Sequence, residues 1–283
     1  MPTEKARDDA PTLIAIAVLA FIVADVAHEV IGHGAAYLAV GGRSFVMTTT
    51  RWIGQGPHAD SSGRLFVGVE NGDLYGKIFS LGGPLGSLLF AGLAGLALRS
   101  LRHAGIRPRL FLWLAMAFNL FWGVGYLIYS GVTGSGDWAE SIRGIPPALV
   151  WRLVMLVAGL LLYDLAMKAL AGEIGRFIPL DDPGSRGRVG RLVWISYWAA
   201  GVIACVAAAF DPRGADQVYK SAALVSFCAA AGLLAMPRLL RRLPFNPEIA
   251  GTPIARSIGW ILAAILAAGI YIGALGPGVS IAL

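Results

Sequence analysis

Seven stretches of this chain stay apolar for about as long as a helix needs to cross the hydrocarbon of a bilayer, roughly 20 residues. They cover about 12–40, 78–98, 110–131, 148–170, 191–210, 219–240 and 257–275. A backbone crossing that region must pair its own amides, so such a series folds as membrane helices. Composition agrees. Hydrophobic residues make up 57% of the chain and charged residues 14%, and mean hydropathy is +0.68; a soluble domain carries about a quarter charged residues. The expectation is an all-α fold: a polytopic helix bundle of about seven spans, multi-pass in the cell membrane, with the lipid bilayer as its first partner. The net charge of +6 does not imply nucleic acid, because the basic residues sit in short loops between apolar runs. Cys205 and Cys228 fall inside such runs and read as packing residues. The first apolar run is too long for a signal-peptide core and lacks a small-residue cleavage site, which makes it a retained span.

Assigning each basic residue to its nearest loop puts 15 of the 23 on the side of the N-terminus and the loops after spans two, four and six. The positive-inside rule then favours an N-in orientation. The loop from Gly41 to Lys77 differs from the others: "RSFVMTTTRW" and "GRLFVGVENGDLYGK" mix β-branched and aromatic residues with turn residues. It reads either as a short hairpin on the membrane face between spans one and two, or as a plain exposed loop. Every polar motif lies early in the chain. Residues 1–140 therefore read as a chemical core of three spans, and 141–283 as four accessory membrane helices.

Span one contains "AHEVIGHGAAYLAVGG" at 27–42. Asp25, His28, Glu29 and His33 put four ionisable groups within nine positions of one membrane helix, which marks function more often than packing. The alternative is a pair of interior histidines bonded to neighbouring helices. Metal-binding helices usually carry H-E-x-x-H, with the histidines four apart on one face. Here they are five apart, about 140° around a regular helix, against about 40° for a spacing of four. A π-bulge, with roughly 4.4 residues per turn, brings a five-residue pair back to about 50°. Gly32 offers the least steric resistance to that distortion. The spacing thus predicts a π-bulge or kink between His28 and His33, with Asp25, three residues earlier, as a candidate brace for His28.

Together with "GGPLGSLLFAG" at 82–92 and "GSGDW" at 134–138, this stretch resembles the site-2 protease family of intramembrane zinc metalloproteases. The inserted glycine has a parallel in the H-E-x-x-G-H motif of dipeptidyl peptidase III. The resemblance covers about residues 20–140. It implies Zn2+ held by His28, His33 and Asp137, with Glu29 as catalytic general base, and cleavage of membrane-protein or peptide substrates by metal-activated water. Ser87 stands where the family has asparagine, and "GSGDW" stands where it has L-D-G; Asn119 lies 18 residues before Asp137. The charge count puts the site-bearing face outside, whereas the resemblance puts it towards the cytoplasm.

Topology supports Asp137 independently. The histidines lie in the later half of span one and Asp137 just past span three; both spans run in the same direction, so all three approach one membrane face. His58, Glu70 and Asp73 fall in the first loop, His103 on the opposite face, and Asp164 pairs with Lys168 four residues on. The glycines from Gly82 to Gly95 form a small-residue packing face. Gly82–Pro84 are additionally expected to present backbone to an extended substrate. Two other functions fit the residues: a proton- or cation-coupled transporter using Asp25, His28, Glu29 and His33, and an inactive membrane scaffold. A late-span histidine hydrolase of the ceramidase type is excluded, because no histidine lies beyond residue 103.

Overall fold

The computed structural model describes residues 7–42, 44–50, 52–55, 74–178, 183–240 and 252–282. Seven helices are long and apolar enough to cross a membrane. In chain order they are α1 (Ala10–Ala39), α2 (Leu74–Ser100), α3 (Ile106–Thr133), α5 (Ala148–Ile174), α6 (Gly187–Ala208), α7 (Ala215–Leu240) and α8 (Ile258–Leu275). A five-residue helix, α4 (Asp137–Ser141), lies between α3 and α5. The chain is an integral multi-pass membrane protein, as the apolar runs predict.

Helix α1 is the axis of the bundle. Asp9 caps its start: the Oδ2 atom accepts from the Thr12 amide at 3.0 Å and from the Thr12 hydroxyl at 2.7 Å, and Pro11 occupies the first turn. Ile16, Ala17, Ala20 and Ala24 are fully buried, against α3, α6 and α8. Small residues in the middle of α1 let those neighbours approach closely. The outer helices show the reverse pattern. Leu89 of α2, Leu161 of α5 and Leu266 of α8 are each more than 60% exposed, which a membrane protein tolerates because its surroundings are hydrocarbon.

One hydrophobic core runs from Leu13 of α1 to Tyr271 of α8, so residues 1–140 and 141–283 share their packing.

The first loop does form strands. β1 (Ser44–Met47) pairs antiparallel with β2 (Trp52–Gln55), with Phe45 opposite Gly54. The second half of the expected hairpin, with "ENGD", lies outside the described residues. β1 also pairs on its other edge with β3 (Val279–Ala282), which follows α8, giving the order β2-β1-β3. Phe45, Met47 and Trp52 pack with Tyr37 of α1 and Phe79 of α2 into a small aromatic core. The sheet is thereby fixed to the end of α1 that carries the histidines.

Candidate metal centre

Within α1, residues Val26–His33 form a π-helical segment of eight residues. Its wider turn accommodates the extra residue and swings His28 and His33 towards each other. Their rings stand nearly perpendicular, with centroids 5.0 Å apart. Both are 4% exposed.

Each ring is held from behind by α2. The Nδ1 atom of His33 donates to the Phe79 carbonyl at 2.9 Å, and its ring stacks on the Phe79 ring at 4.8 Å. A carbonyl only accepts, so the neutral imidazole carries its proton on Nδ1 and leaves the Nε2 lone pair for a ligand. The Nδ1 atom of His28 meets the Ser87 hydroxyl at 2.9 Å. With Ser87 accepting, His28 takes the same tautomer. This is the arrangement by which proteins orient metal-binding histidines.

The two Nε2 atoms face one carboxylate oxygen. Asp137 Oδ2 lies 3.1 Å from His28 Nε2 and 3.4 Å from His33 Nε2. Two ligands on a tetrahedral ion at about 2.05 Å stand about 3.3 Å apart, so these separations are those of atoms that can share one metal. The three donors all lie within 4.8 Å of one another. Burial by itself would raise the Asp137 carboxyl; with no metal between them, positive charge on the His33 ring and hydrogen bonds donated from the Nε2 side of both rings outweigh it and hold the group well below the usual carboxylate range, whereas the bare Nε2 lone pairs belong to the metal-holding state.

Space for an ion is provided by Gly83 of α2. A Cβ there would sit 2.3 Å from His33 Nε2 and 2.7 Å from His28 Nε2. The close approach of α2 also needs Gly32 and Gly82, whose added Cβ atoms would each stand 2.5 Å from the other's carbonyl oxygen. The expected packing role is therefore observed for the start of the glycine run, at the site itself, whereas Gly92 faces open space. Pairing of Gly82–Pro84 with an extended substrate is not: these residues lie inside continuous α2, where the carbonyls and the glycine amides belong to the helix. Pro84, without an N–H, leaves the Ser80 carbonyl without its helical donor.

Asp137 arrives through a tight turn. Gly134 and Gly136 take positive φ angles of 71° and 88°, and α4 starts directly afterwards. The Trp138 indole donates to the Gly123 carbonyl at 2.9 Å, inside a second π segment at Phe121–Gly125 of α3. Trp138 thus anchors the turn to α3 itself.

Glu29 is half-buried beside the cluster, with His33, His28 and Asp137 as its ionisable neighbours, and the Trp52 indole donates to its backbone carbonyl at 3.1 Å. Asp25 does not brace His28. It is buried facing Glu29 and Tyr271, because the π segment begins one residue after it and rotates His28 away. Asn119 is away from the cluster and donates to the Ala115 carbonyl of its own helix. Asp164 is paired with Lys168 on the surface, as its spacing suggests, and His103 is bonded by Arg102. His58, Glu70 and Asp73 lie outside the described residues. The sequence offers Gly83 as exposed backbone beside the metal and Ser87 as a departure from the family's asparagine; neither reading gives the contacts seen here, and Phe79 carries no signal at all.

No family model, curated protein or solved structure matches the chain. The fold and the cluster nevertheless define a class. This is a multi-pass membrane helix bundle with a buried histidine–histidine–carboxylate cluster of metal-ligand dimensions.

Proposed function

We propose that the protein is a zinc-dependent intramembrane endopeptidase that cleaves membrane-protein or peptide substrates within the cell membrane. One observation carries the reading: two imidazole Nε2 atoms and the Asp137 carboxylate converge beside Glu29 inside a membrane bundle. The donor set suits zinc, with three protein ligands and a fourth position left for water. Zinc held there would polarise the scissile carbonyl and lower the pKa of the water that attacks it.

The chain's own groups supply the rest. Glu29 takes the proton from the attacking water and returns it to the leaving amine. Ser87 and the Phe79 carbonyl keep both imidazoles aimed at the site while charge develops. The aromatic core of Phe45, Trp52 and Phe79 shields one side from bulk water. The π turn weighs against the proton relay, which needs the undistorted helix that pairs Glu29 with His33 and separates the histidines.

The test is the purified protein, loaded with zinc in detergent and incubated with a set of transmembrane peptides, with products read by mass spectrometry. Glu29→Gln should retain about one zinc per chain and form no products. Equal turnover by Glu29→Gln, or no cleavage of any peptide by the zinc-loaded wild type, would sink the proposal.

A further inference from the structure

The opposite membrane face carries a second constellation that the metal site does not use. Arg99 lies at the end of α2, Arg109 in the first turn of α3, Glu173 in the last turn of α5, and Arg176 in the turn that follows it. With Arg102 and His103 of the intervening loop, they line a cavity of about 400 Å³. Four guanidinium groups thus surround one carboxylate, in a protein whose charged residues are few.

The arginines fall into two pairs. Glu173 is buried, and its Oε1 accepts from Arg99 at 2.9 Å and from Arg176 at 2.7 Å. These bonds tie α2 to α5 across the start of α3 and fix one wall. Arg102 and Arg109 bond no carboxylate among the described residues. Arg102 donates to His103 at 3.1 Å, and Arg109 donates to the Arg176 carbonyl at 3.2 Å. The Arg109 guanidinium lies 4.7 Å above the Phe177 ring. A cation held on an aromatic face at the cavity wall, with no carboxylate bonded to it among the described residues, is positioned for an anion that the protein does not itself supply.

We propose that this cavity binds a phosphate-bearing anion, and that its source is the headgroup of an anionic phospholipid. Arginine forks match phosphate oxygens, and basic pockets between membrane helices take such headgroups. The surroundings favour lipid over soluble phosphate: Leu101 beside the cavity, Leu96 on α2 and Leu165 on α5 are all largely exposed and offer an apolar surface to acyl chains. The face is also the one that collects most of the loop arginines and lysines, where anionic lipids concentrate in a cytoplasmic leaflet.

The experiment uses the full chain in nanodiscs of phosphatidylcholine with added phosphatidylglycerol, with retained lipid counted by native mass spectrometry. Wild type should retain phosphatidylglycerol in preference to phosphatidylcholine. Arg102→Gln should weaken that preference about fivefold, and Arg102→Gln with Arg109→Gln about thirtyfold. Lys220→Gln, which removes an exposed charge elsewhere, should leave it unchanged. Arg102 is exposed and bonds only its neighbour, so its single variant reads the site even if the double variant folds poorly. A parallel arm adds inorganic phosphate: failure to displace the lipid supports the headgroup, and displacement at low concentration overturns the lipid source. Equal retention of the two lipids by wild type, an unchanged preference in Arg102→Gln, or an equal loss in Lys220→Gln overturns the site.

Discussion

Two of the membrane helices contain long π segments, and they are used differently. In α1 the segment Val26–His33 presents two histidines and Glu29 to a neighbour that glycines bring close. In α7 the segment Val218–Phe227 is longer, ten residues, and its one charged side chain, Lys220, pairs with the exposed Asp216. Its wide turn serves packing: Phe227 stacks on Tyr197 of α6 at 4.2 Å, over Gly201, where a Cβ would overlap the Phe227 ring. A π turn is therefore not by itself a mark of chemistry. What distinguishes α1 is that the widened turn aims side chains whose other ends are already held.

That contrast can be broken most directly at the histidines. His28→Ala and His33→Ala should each abolish zinc binding by the purified protein, measured as metal per chain; full occupancy in either variant would remove the assignment of α1. Gly83→Ala should come next. Its methyl group would occupy the space in front of both Nε2 atoms, so metal content should fall to near background while the protein still purifies as a folded helical species. Retained zinc there would mean that α2 does not define the space for the ion.

Ser87→Ala should be milder, with zinc affinity reduced about 10–100-fold in a competition titration, the usual cost of losing a group that orients a ligand. At the bottom of the scale, Lys220→Gln in the π segment of α7 should change thermal stability by no more than about 0.5 kcal/mol and leave metal affinity unaltered. A large loss of zinc from that change would show the two segments to be coupled.

The seven spans were legible because each is a continuous apolar run, a signal that needs no knowledge of neighbours. The π turn of α1 was legible because a ligand pair with the wrong spacing advertises it. The equivalent turn in α7 carries no such pair, and nothing in "VYKSAALVSF" reveals it. Asp137 was accessible through the parity of the spans, a constraint set by the membrane. Ser87, Phe79 and Gly83 were not, since their contacts depend on how α2 is rotated about its own axis. Asp25 departs from expectation for the same kind of reason: three residues before His28 puts it near that ring only where the turn is not widened. β3 was missed because four residues of "VSIA" are too short to register as a strand without the partner that pairs with them.

The position of β3 also sets an order of assembly. α1, with both histidines, is made first, whereas the strand that completes the sheet over its end follows the seventh span. Pairing β1 with β3 closes a loop of more than two hundred residues, the kind of contact that forms late and slowly. During synthesis the histidine end of α1 therefore waits with β1 unpaired along one edge, and only insertion of α8 delivers the segment that closes it. A chain cut short before that point would leave β1 with an open strand edge at the membrane face.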